Sequence, residues 1–119
     1  MRSLGFGLAL LLAAHAAKAG EPVVEGVEAR PEAAGTWRFD VTVRHGDEGW
    51  DHYADKWVVL TPDGQVLGER VLLHPHEDEQ PFTRSLGGVA IPPGTDEVLV
   101  QAEDSVHGPG PTLAVRLGP

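Results

Sequence analysis

Thr36-Trp37-Arg38-Phe39-Asp40-Val41-Thr42-Val43-Arg44 decides the fold. Trp37, Phe39, Val41 and Val43 alternate without a break against Arg38, Asp40, Thr42 and Arg44. Successive side chains of a strand point to opposite faces, so this stretch has one apolar face and one wet face. Weaker runs of the same period predict six more strands: Val23–Arg30, Tyr53–Thr61 around Trp57, Gln65–Leu73, Phe82–Ile91, Glu97–Asp104 and Thr112–Leu117. In Glu97–Asp104 the inward positions are Val98, Val100 and Ala102, and in the last run they are Leu113, Val115 and Leu117. Trp37 and Trp57 fall within strand patterns and are expected in the core.

The punctuation agrees. Pro62-Asp63-Gly64 and Pro92-Pro93-Gly94-Thr95 supply the fixed and positive φ angles that tight turns need. Fifteen glycines and ten prolines work against long helices. Seven short strands in about 100 residues predict an all-β, seven-stranded antiparallel sandwich of immunoglobulin or fibronectin type III kind, with a small barrel as the alternative.

Residues 1–19 read as a cleaved secretory signal peptide, and 20–119 as a single sandwich domain. Arg2 opens the leader, Leu4 to Ala14 is a short apolar run, and Ala17-Lys18-Ala19 is the small-x-small pattern that precedes cleavage. The run is too short to cross a bilayer, which predicts a periplasmic or secreted protein without membrane insertion after cleavage. His15 falls in the leader and is not a site candidate.

The chain has no cysteine, which excludes disulfides, thiolate chemistry and cysteine-ligated metal. From Gly20 onward seven basic residues face eighteen acidic ones, a balance that opposes binding to nucleic acid or anionic lipid. No G-x-S-x-G elbow surrounds Ser85 or Ser105, and the acidic residues of 47–51 match no EF-hand spacing.

The histidines carry the functional expectation. His45 with His52, His74 with His76, and His107 lie in three separate connections, 45–52, 74–81 and 105–111. If consecutive strands run up and down, all three connections share one end of the sandwich, where loops held by a rigid scaffold commonly act. His74 and His76, two apart across Pro75, would present two imidazoles to one side in an extended segment. His52, His45 or His107 would add a third, with Asp51, Glu77, Glu79 or Asp104 as ligand or orienting carboxylate. The only methionine is Met1, so the soft sulfur donors preferred by Cu(I) are missing from the predicted mature chain. Imidazole with carboxylate suits zinc, copper(II), nickel(II) or iron(II), and copper or zinc is the expected ion. The expected metal ligands are therefore His52, His74, His76, His107, His45 and Asp51, in a protein more suited to binding than to catalysis. The other expectation is an interaction module for an envelope protein, presenting Trp50, Tyr53 and the acidic loops, with the histidines as a structural network.

Three strings, Gly49-Trp50-Asp51-His52-Tyr53-Ala54-Asp55, His74-Pro75-His76-Glu77-Asp78-Glu79-Gln80-Pro81-Phe82-Thr83-Arg84-Ser85 and Asp104-Ser105-Val106-His107-Gly108, resemble those of a group of small exported bacterial proteins of unknown function. The resemblance covers about Trp37 to Gly108 and implies export; it carries no activity, substrate or cofactor. Similarity to immunoglobulin and fibronectin type III domains is architectural: there is no cysteine pair, and the sixth strand lacks the corner tyrosine.

Overall fold

A computed structural model describes residues 20–118. The predicted leader, with His15, lies outside the described residues. Seven strands form: β1 (Val23–Pro31), β2 (Thr36–Arg44), β3 (Ala54–Leu60), β4 (Val66–Val71), β5 (Phe82–Ala90), β6 (Glu97–Asp104) and β7 (Gly108–Arg116). They make two antiparallel sheets, one ordered β1-β2-β5 and the other β4-β3-β6-β7. Among the described residues no helix is long and apolar enough to cross a membrane.

The sheets face each other across one apolar core. Phe39, Val41, Val43, Phe82 and Val89 come from the first sheet, and Trp57, Val59, Val98, Val100 and Ala102 from the second. Burying each large apolar side chain contributes roughly 1.5–3 kcal/mol, which is how a chain without disulfides meets the entropy of ordering its backbone. Trp57 is wholly buried, as its strand pattern predicts. Trp37 is half-buried and packs at the margin of the core.

Most strand ends fall within two residues of the sequence reading, and one differs by more. β7 begins at Gly108, not Thr112, so the third histidine connection shrinks to Ser105–His107. Gly108-Pro109-Gly110-Pro111 reads as loop because glycine and proline break regular structure. β7, however, is an edge strand, where a missing N–H is tolerated. Gly110 is required there by close approach: a Cβ at this position would collide with the backbone carbonyl of Pro22.

The inward columns of β2 and β6 position the site. On β2 the buried positions Phe39, Val41 and Val43 are followed at the same parity by His45. On β6, Val98, Val100 and Ala102 are followed by Asp104. The strand period therefore carries one histidine and one carboxylate into the layer that closes the core at this end.

Candidate metal centre

Asp104 is the point of convergence. Its Oδ2 accepts from His45 Nε2 at 2.9 Å, His52 Nε2 at 3.1 Å and His107 Nδ1 at 2.9 Å. Its Oδ1 accepts from the backbone N–H groups of Val106, at 2.9 Å, and His107. Burial alone would raise the Asp104 pKa, but the His107 ring, the His107 amide, the His52 ring and the Val106 amide outweigh it and hold the carboxyl far below its ordinary range.

The far side of two of these imidazoles is also fixed. His45 Nδ1 donates to Asp47 Oδ1 at 2.5 Å, and His52 Nδ1 to Glu48 Oε1 at 2.7 Å. A turn through Gly49 sets the second pair, with Glu48 N–H donating to the His52 carbonyl at 2.7 Å. Each ring thus has Nδ1 anchored on a carboxylate and Nε2 turned toward Asp104. The carbonyl of Gly20 also lies 2.9 Å from His45 Nε2. Both ring nitrogens of His45 and of His52 therefore face oxygen atoms.

The donors fit a metal. His45, His52 and Asp104 offer ligand atoms that all lie within 4.8 Å of one another. Tetrahedral bonds of about 2.0–2.1 Å place ligand atoms about 3.3 Å apart, close to the two nitrogen-to-Asp104 distances; the two imidazole nitrogens would have to draw together by up to about 1.5 Å. A carboxylate on the second nitrogen of a ligating imidazole, as at His45 and His52, is the usual means of fixing tautomer and ring direction.

The three histidine loops do meet at one end, but in unequal roles. Asp47, buried, joins the first two: its Oδ1 also accepts from Ala54 N–H at 3.1 Å and its Oδ2 from His76 N–H at 2.6 Å. Gln80 adds a second tie, accepting from His45 N–H at 2.8 Å and donating to the His76 carbonyl at 2.9 Å. His76 itself is buried, stacked on Phe82 with ring centroids 4.0 Å apart, and its Nδ1 lies 3.9 Å from Asp47 Oδ2 without a hydrogen bond. Burial, with the positive charge of Arg84, pushes its pKa down. His74 is exposed and donates to its neighbour's carbonyl, Pro75 O, at 3.0 Å. These two rings lie beside each other, centroids 4.7 Å apart, outside the group formed by His45, His52 and Asp104. Asp51 is exposed and also lies outside that group. Asp47, which the sequence reading did not single out as a site residue, supplies the link between loops.

Protonation of His52 gives a measurable signature. Its pKa is raised above the ordinary 6.5, chiefly by the Glu48 hydrogen bond, against burial, with help from Asp104. A raised folded-state value contributes stability that is fully present below about pH 6.5 and is lost as pH rises through the folded-state value. The stability difference between the metal-free protein and a His52→Gln variant should therefore be largest near pH 5.5 and shrink as pH rises past the raised value. Urea denaturation across that range reads it; a pH-independent difference would remove the charged contact from the account.

No family model matches the sequence. No solved structure matches it either. A protein of Halomicrobium mukohataei bearing the name "Putative lipoprotein" is 44% identical over 92 residues, a match that covers 68% of this chain and 45% of that relative. This chain therefore spans less than half the length of the relative it resembles.

Proposed function

We propose that this is an exported β-sandwich protein that binds one divalent transition metal ion, copper(II) or zinc, through His45, His52 and Asp104, with His107 at the rim. One observation carries the reading: two imidazoles, each held at Nδ1 by its own carboxylate, turn Nε2 to the same buried oxygen of Asp104. Imidazole and carboxylate donors without sulfur favour these metals over Cu(I). The lipoprotein name of the relative supports an envelope or extracytoplasmic location, as does the leader-like segment. Metal acquisition, buffering or delivery in that compartment fits a donor set held at one end of a rigid sandwich. The pairing of β4 with β3 instead of β5 departs from the constant immunoglobulin arrangement and supports a fibronectin type III kind of sandwich.

Titration of metal-stripped, untagged protein with zinc and with copper(II) tests the reading. One ion should bind per chain. Glu48→Gln, which alters only the partner of a ligand, should weaken binding by about 10–100-fold. His74→Ala should leave it unchanged. Absence of binding, or loss confined to His74→Ala, would overturn the assignment.

A second reading has its own observation. Trp50 is 66% exposed, stacks edge-on against Tyr53 with centroids 5.5 Å apart, and stands in the same loop as His52. An exposed indole at the functional end suits contact with an envelope protein that receives or supplies the ion. Trp50→Ala would then impair capture of that protein without changing metal affinity.

A further inference from the structure

Gly20 has no side chain, and one there would press on the His107 ring. Its φ is +85°, a backbone region that side chains disfavour, and a Cβ there would lie 3.0 Å from His107 Cε1, 3.6 Å from His107 Nε2 and 3.6 Å from His52 Cε1. Its carbonyl oxygen already lies 2.9 Å from His45 Nε2. The first residue of the predicted mature chain is thus packed against all three imidazoles that surround Asp104. The peptide bond immediately before it follows Ala17-Lys18-Ala19, the pattern that a leader-cleaving peptidase accepts.

We propose that cleavage between Ala19 and Gly20 completes the metal site, the new α-amino group of Gly20 serving as a further ligand. The proposal rests on the metal-binding reading above. Before cleavage the Gly20 nitrogen is an amide whose lone pair is delocalised into the Ala19 carbonyl, and it is a poor donor. Hydrolysis adds the hydroxyl of water to the Ala19 carbonyl carbon and a proton to the Gly20 nitrogen, which leaves as an amine with a lone pair of its own. That amine and the carbonyl oxygen of the same residue can close a five-membered chelate ring on one ion. Gly20 would then bind from both of its ends while His45, His52 and Asp104 bind from the protein side. A larger residue at position 20 would push the His107 ring away. Processing and metal loading are coupled in this scheme: the unprocessed chain lacks one ligand, so the ion is held firmly only after export.

Three forms of the full domain test the inference, with copper(II) and zinc ions alone as probes. The first begins at Gly20, the second retains Ala17-Lys18-Ala19 ahead of it, and the third begins at an acetylated Gly20. The form beginning at Gly20 should bind at least about tenfold more tightly than either blocked form, the lower end of what a lost orienting partner costs a metal site. Its copper(II) absorption band should also lie at higher energy, because one more nitrogen is bound. Equal affinity and identical spectra in all three forms would overturn the role of the amine and leave the histidine and aspartate site standing. No binding by any form would overturn both readings. Mass analysis of the exported protein should find Gly20 first, and a different first residue would overturn the coupling to processing.

Discussion

Asp104→Ala should destabilise the metal-free protein by about 3–5 kcal/mol, the range for breaking a buried ion pair by removing one partner. The carboxylate takes five hydrogen bonds, three from imidazoles and two from loop amides, and its side chain is wholly buried. Its removal leaves His45 Nε2 with only the Gly20 carbonyl, and leaves the Val106 and His107 amides without their acceptor. The His45 donor is buried and, once orphaned, costs about 1–3 kcal/mol, whereas Val106 and His107 are exposed and their amides can turn to water. With a urea slope of about 1–3 kcal/mol per molar, the midpoint should fall by more than about 1 M. A loss below about 1 kcal/mol would mean that the loops hold together without this residue, and the cluster would not be the organising feature described here.

The same carboxylate gives the acid limb of stability. Its folded-state pKa is depressed, so its contribution is present above the unfolded-state value of about 3.9 and is lost as pH falls through the lower folded-state value. The Asp104→Ala penalty should accordingly diminish in acid.

Metal should raise the melting temperature by about 10–20 °C at an ion concentration one hundred times Kd. Saturation of that degree is worth about 2.7 kcal/mol to the folded state. For a domain of this size each kcal/mol moves the midpoint by about 4–8 °C. A His45→Ala/His52→Ala variant should show no shift at all, whereas His74→Ala should shift like the wild type. Scanning calorimetry with and without zinc decides it. An equal shift in the double variant would place the ion elsewhere, on the acidic loop or on the His74 and His76 pair.

Much of this end of the molecule is legible from strand period. The alternation of Trp37, Phe39, Val41 and Val43 fixes which face of β2 is inward, and the same parity two residues later selects His45. The run Val98, Val100, Ala102 does the same for Asp104. Apolar alternation ends both columns at their last apolar residue, so in the sequence Asp104 is one of several candidate carboxylates. The convergence of three loops follows from counting strand reversals. What period cannot reach is the loop itself. His74 and His76 are two apart, but residues 72–81 lie outside the strands, so the rule that such residues share a face does not apply there. Instead Asp47 takes the His76 backbone and Phe82 takes its ring. The early start of β7 was hidden by local glycine and proline chemistry, which tertiary contact with Pro22 overrides at Gly110.

X-ray absorption on copper- or zinc-loaded protein beginning at Gly20 tests the central claim most directly. The account predicts a first shell of nitrogen and oxygen only, with the multiple-scattering pattern of at least two imidazoles, which collapses in the His45→Ala/His52→Ala variant and persists in His74→Ala. A shell without imidazole, or one that survives the double substitution unchanged, would contradict it.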